Sequence, residues 1–213
     1  DLMEEPRFIP CEGGEHAVAE QYMYACHNIG RKILIQDRVS EALGWFRRAQ
    51  RFPGNLGAAL WNEGLLAPHR YFEALCLEKL GEFEAAREIW KDLTSIERGY
   101  FSNFYFAELP CWQALCCKRL GRDTEARRLL SGQIHAYEKA LDSRVPGFFK
   151  ATPFFISYIE PAEEQKKAAC HWQLSMAYWV AGDERWKKHA DICLQYDPTN
   201  LYASLLYRQG GML

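Results

Sequence analysis

Apolar residues recur at helical spacing along most of the chain, and short polar breaks holding a Gly or an Asp interrupt the recurrence. The clearest stretch runs from Tyr71 to Leu80, breaks at Gly81, and resumes as Glu82-Phe83-Glu84-Ala85-Ala86-Arg87-Glu88-Ile89-Trp90. Its spacing predicts a helix, a tight turn after Leu80 and a second helix carrying a small residue near its start. Trp112 to Leu120, then Gly121 and Arg122 to Leu130, repeats the pattern, so that Leu-Gly recurs at 80–81 and 120–121. A further copy spans Cys170 to Ala181, turns at Gly182-Asp183 and ends in Asp197-Pro198. The first copy runs from Cys26 to Ile33 and from Ser40 to Phe46, with Ala49 closing it and Asp37 where the others have Gly. No βαβ alternation and no Gly-rich phosphate loop interrupts these segments. The fold predicted is all-α and more than half helical.

The four copies resemble the tetratricopeptide repeat, whose small residues let paired helices approach and whose large residues fill the space between them. Gly30, Ala74, Ala114 and Ser175 correspond to the family's first small site, and Ala42, Ala86 and Ala126 to its second. In the fourth copy one residue is missing after Gly182 and Trp186 falls near the second small site, so its second helix should pack irregularly. The resemblance implies an α-α superhelix of about four helix pairs, near 16–51, 67–96, 107–140 and 162–197. A capping helix is expected at 199–209, opened by Thr199 or Asn200, with Leu201, Leu205 and Tyr207 sealing the stack. The steps from Ala42 to Ala86 and from Ala86 to Ala126 exceed the family's period of ~34 residues. Insertions therefore fall at Phe52 to Ala67, Gly99 to Glu108 and Asp142 to Pro161, the last two rich in aromatics.

Beyond the repeats, Phe52-Pro53-Gly54-Asn55-Leu56-Gly57, the insertions and a Pro-Phe-Phe segment look like the C-terminal repeat region of large bacterial proteins in which a β-rich domain of unknown function lies upstream. That β domain is similar to sugar-mutarotase sandwiches, which implies a carbohydrate context. The chain begins at Asp1 and is expected to be one repeat domain, 1–213, cut from a longer protein.

Composition narrows the partners. The chain has 213 residues, 26 Lys plus Arg against 28 Asp plus Glu, and a formal charge of −2, which supplies no electrostatic footprint for nucleic acid or an anionic membrane. Apolar runs such as Phe154 to Ile159 are far shorter than the ~20 residues of a membrane span. The eight cysteines include no CxxC and no sequon accompanies them, which suits free thiols in a cytoplasmic setting.

Partner binding is expected on the concave face formed by the first helix of each pair. The family's exposed positions carry over as His27, Arg31 and Leu34, then Tyr71, Glu78 and Lys79. The third copy gives Glu108, Cys111, Lys118 and Arg119, and the fourth Trp172, Met176 and Trp179. The binding set expected is Tyr71, Lys79, Lys118, Arg119, Trp172, Met176 and Trp179, gripping a protein, a peptide or an upstream domain. Trp172, Met176 and Trp179 lie at i, i+4 and i+7 and form one stripe, which either holds an anchor or is covered by the terminal helix or an insertion. The carboxylate clamp of co-chaperone arrays is absent, because its positions hold His27, Tyr71, Cys111 and Trp172, then Arg31, Leu75, Leu115 and Met176. Adjacent pairs Cys26-His27 and Cys170-His171 point about 100° apart on a helix and do not chelate, so no metal and no cofactor is expected. Glu63, Glu108 and Glu160 beside the insertions read as solvated loop carboxylates, and no catalytic residue is assigned. The reading is a non-catalytic interaction or docking scaffold. The alternative is an accessory region of a carbohydrate-active protein, its aromatic stretches 100–106 and 148–158 shaping a sugar site.

Overall fold

The computed structural model of the chain describes residues 17–51, 53–57, 63–97, 107–143 and 162–209, together with Arg7 and Ile9. These residues form nine α-helices and no strand: α1 Ala17–Ile35, α2 Val39–Ala49, α3 Ala67–Lys79, α4 Phe83–Ser95, α5 Leu109–Arg119, α6 Asp123–Asp142, α7 Ala162–Ala181, α8 Arg185–Tyr196 and α9 Leu201–Gln209. The first insertion carries two short 3₁₀ turns, Gly54–Leu56 and Glu63–Leu66. The aromatic stretches 100–106 and 148–158 lie outside the described residues, as does Glu160.

One turn is used four times. Between α3 and α4, Gly81 takes φ 86°, its N–H donates to the Glu78 carbonyl at 3.1 Å, and the Glu82 N–H reaches back to Leu77 at 2.9 Å. Gly121 (φ 72°) and Gly182 (φ 77°) make the same two bonds, the second from Arg122 to Cys117 and from Asp183 to Tyr178. Asp37 (φ 60°) does so between α1 and α2, with Arg38 reaching Ile33. Each turn ties off two carbonyls that a helix C-terminus leaves without partners, and it requires a left-handed residue, which Gly supplies without a Cβ penalty and Asp tolerates.

The chain divides into two compact units, Asp1–Trp112 and Gln113–Leu213, the division falling within α5. In the first unit α1 packs on α2, α2 on α3 and α3 on α4. The small residues sit where helices approach: Ala42, Ala74 and Ala86 are fully buried, and a Cβ added to Gly30 would meet the Phe46 ring at 3.0 Å. Phe46 is itself fully buried and stacks on Phe72 with centroids 5.1 Å apart. Phe72 meets Trp112 edge-on at 6.4 Å. Burying each such ring contributes roughly 2–3 kcal/mol.

In the second unit α6 packs on α7, α7 on α8 and α8 on α9. Ala114, Ala126 and Ser175 are buried at their expected small sites. Ser175 uses its hydroxyl as well, donating to the Trp186 carbonyl at 3.0 Å. The irregularity expected of the fourth copy is visible at the start of α8. There the Trp186 and Lys187 N–H groups bond three residues back, to Asp183 and Glu184, whereas Ala42, Ala86 and Ala126 bond four residues back. The missing residue tightens the first turn, and Trp186 is buried beside it.

α9 starts where the capping residues place it. Asn200 accepts the Ala203 N–H at 2.9 Å, while Thr199 turns to the Asp197 carboxylate. Its sealing face differs from the expected one. Ala203 and Leu206 are fully buried, whereas Leu201 and Tyr207 are exposed and Leu205 is half-buried. The helix is rotated so that Tyr202 and Leu206, one turn apart, cover the core.

Candidate functional site

The positions expected to bind a partner separate into two groups. Lys79, Lys118 and Arg119 end α3 and α5 and are exposed. Lys79 Nζ lies 3.4 Å from the Asp37 carboxylate, bringing the first two turns together across solvent-exposed side chains. Lys118 Nζ donates to the carbonyl of Val180 near the end of α7, where a cation satisfies an orphan acceptor and complements the negative end of the helix dipole. Trp179, the residue before Val180, is half-buried.

Tyr71, Trp172 and Met176 were expected on the partner-facing side, and the structure makes them core side chains. Tyr71 is 1 % exposed and packs on Phe72 and Trp112, with centroids 5.9 and 5.7 Å away. Met176 is fully buried, and Trp172 stacks on Tyr202 of α9 at 6.1 Å. The terminal helix thus covers the indole. All residues from Trp172 to Tyr178 are buried, so this stretch of α7 is enclosed on every side rather than amphipathic. His27 and Arg31, also carried over as groove positions, are buried in the first unit.

Two histidine pairs had no counterpart in the sequence reading. In the first unit, Nδ1 of His27 on α1 lies 3.1 Å from Nδ1 of His69, in the first turn of α3. One ring must donate and the other accept. His27 is clamped edge-on by Phe46 at 5.5 Å and Phe72 at 4.9 Å, and its Nε2 is buried without a hydrogen-bond partner. Arg31, one turn along α1, holds its guanidinium 5.8 Å from the Phe72 ring centre. Burial lowers the pKa of His69 to about 3, and burial, His69 and Arg31 together hold His27 well below the ordinary imidazole value. Burial also lowers Arg31.

In the second unit, His171 on α7 and His189 on α8 face each other with Nδ1 atoms 2.9 Å apart, and Tyr178 stacks on His189 at 5.3 Å. The Tyr178 hydroxyl donates to Glu138 of α6 and accepts from Arg185, whose guanidinium lies 4.1 Å over the ring. Burial, then His171, lowers His189 to about 4. A buried amide bond between Gln133 and Gln173 at 2.9 Å joins α6 to α7 nearby. Such bonds fix the rotational register of apolar helices, because sliding either helix would strand the polar groups.

The seven cysteines among the described residues are buried thiols outside any disulfide. Burial raises Cys76 and Cys117 to about 11 and Cys193 to about 12, with Glu73, Glu125 and Asp197 adding to the shift. These thiols stay protonated near neutrality. Among the described residues, no group of three or more His, Cys, Asp or Glu is placed to hold a metal ion, and no helix is long and apolar enough to cross a membrane. No family model, curated protein or solved structure matches the chain.

Proposed function

We propose that the chain is a tetratricopeptide-like interaction module that holds an acidic protein or peptide segment, from a partner or from a neighbouring domain, against the C-terminal ends of the first helices within a unit. The observation that supports this reading is the fourfold use of one left-handed turn between helices whose small residues are buried at their crossings. Repetition of one packing unit leaves binding to whatever the first helices present to solvent. At their C-terminal ends these helices carry exposed cations in each unit. In the first these are Lys32 in the last turn of α1 and Lys79, paired with Asp37, at the end of α3. In the second they are Lys118, bonded to the Val180 carbonyl, and Arg119 at the end of α5. Glu20 of α1 and Glu163 and Glu164 of α7 are exposed in the first turns. Carboxylates are the complementary chemistry, through charge-assisted hydrogen bonds.

The test titrates the full chain with acidic peptides, basic peptides and neutral oligosaccharides by calorimetry. Acidic peptides should bind, more weakly at high salt, and Lys79→Glu and Arg119→Glu should each lower affinity. Trp172→Ala should instead cost about 3–5 kcal/mol of folding stability, as a core indole does. Peptide affinity indifferent to both charge reversals, binding of oligosaccharides alone, or turnover of any of these ligands would overturn the reading.

A further inference from the structure

We infer that the His27–His69 pair is an acid-sensitive joint, holding α1 to α3 at neutral pH and letting these two helices part on acidification. The geometry admits one hydrogen between the two Nδ1 atoms at 3.1 Å. Where an added proton would go decides the outcome. If His27 donates, its free site is Nε2, which is buried with no acceptor. If His27 accepts, its Nε2–H is the buried donor without a partner, and the added proton goes to Nε2 of His69 or to Nδ1 of His27, where it would set two N–H groups against each other. Each product is a buried imidazolium, and in each a donor on the His27 ring is left without an acceptor, which makes the protonated pair costly to keep in a core.

The surroundings give that cation no relief. On α1 the facing charged group is Arg31, whose positive charge opposes a second one, and beyond it lies Tyr24. α2 contributes Phe46, and α3 contributes Phe72 beside His69 itself. The α3 carboxylate Glu73 is engaged with Arg47 and Gln50 of α2. Both folded imidazoles therefore have lowered pKa values, while an exposed histidine titrates near ~6.5. A lowered folded value means that the joint is at full strength above about pH 6.5 and loses it progressively as pH falls toward the folded values. At pH about 5, each imidazole released by opening gains a factor of about 30, and the two together about 1,000, in favour of the parted state.

The His171–His189 pair provides an internal comparison. It is half-buried, Lys167, Lys188 and Arg185 act on it from α7 and α8, and Glu138 of α6 opposes them. Its rings belong to α7 and α8 of the second unit, so a segment-resolved measurement separates their acid response from that of the joint between α1 and α3.

The experiment is hydrogen–deuterium exchange of the full chain, read by segment and corrected for intrinsic exchange rates, at pH about 7.5 and about 5. Protection over residues 17–35 and 67–79 should fall by at least tens of fold and up to about 1,000-fold. In the double variant His27→Phe with His69→Leu, which replaces the pair by apolar side chains among the same rings, the fall should vanish. Unchanged protection of these segments in the parent chain, or an equal fall in the double variant, overturns the joint. Should the double variant fail to fold, imidazole titration of the parent chain by NMR decides instead. A buried pair staying neutral until the protein opens supports the joint, and two histidines titrating near ~6.5 in the folded protein overturn it.

Discussion

Replacing Gly30 by Ala sets two opposing effects against each other, and the structure says which wins. Gly30 lies inside α1, where a Gly-to-Ala change alone gains about 0.8–1 kcal/mol through helix propensity. The new Cβ, however, would stand 3.0 Å from both Cε1 and Cζ of Phe46 and 3.2 Å from Cδ1. Carbon contacts are comfortable at about 3.5–4.0 Å, so the ring would have to give by a few tenths of an ångström. It has little room to do so, being fully buried, stacked on Phe72 and edge-on to His27. Overpacking of this kind costs typically 1–3 kcal/mol, which leaves a net loss of about 0–2 kcal/mol after the propensity gain. The assay is urea unfolding followed by circular dichroism, in a double-mutant cycle with Phe46→Leu. Phe46→Leu alone should cost about 1–2 kcal/mol. In its presence Gly30→Ala should turn neutral or stabilising, giving a coupling of about 1–3 kcal/mol, the overpacking that the smaller side chain relieves. If Gly30→Ala stabilised the parent chain by its full propensity gain, the close approach of α1 and α2 at this point would be refuted.

Two further outcomes follow from other parts of the fold. The left-handed turns should respond in opposite directions: Asp37→Gly stabilises by roughly 0.5–1 kcal/mol and Gly121→Ala destabilises by about 1 kcal/mol, both read as shifts in unfolding midpoint, and equal effects would deny the shared turn. The buried thiols Cys76, Cys117 and Cys193 should react with a chromogenic disulfide at pH about 8 only as fast as the chain opens, so a rapid burst from these residues would contradict their burial.

The small residues and the turns were legible because each is dictated by a local constraint that survives in the sequence. Ala42, Ala86 and Ala126 are buried where paired helices pack, and Gly81, Gly121 and Gly182 stand where the chain must turn left-handed. Even the missing residue after Gly182 announced its consequence in the tightened start of α8. The faces of the helices were less legible. A stripe such as Trp172, Met176 and Trp179 has the same spacing whether it lines a groove or a core. The stretch of α7 from Trp172 to Tyr178 is buried around its whole circumference, so periodicity carried no direction there. His27 and Arg31 look polar and were placed outward, but polar side chains can be buried when partners or rings receive them. His69 and His189 gave no signal at all. What joins them to His27 and His171 is the rotation of one helix against another, a property that no single stretch of sequence encodes. In α9 the register was offset for the same reason, with Tyr202 and Leu206 taking the inward positions.

The distribution of indoles has an optical consequence. Trp90 and Trp112 are buried in the first unit, and Trp172 and Trp186 in the second. Intrinsic emission from each core is therefore blue-shifted when folded and moves to the red when water reaches it. A chain that keeps the indoles of one unit, with those of the other replaced by Phe, becomes a spectroscopic reporter for that unit alone. Paired chains of this kind turn cooperativity into a visible quantity: two emission curves that superimpose during unfolding mark one transition, and two that separate assign each midpoint to its own half of the protein.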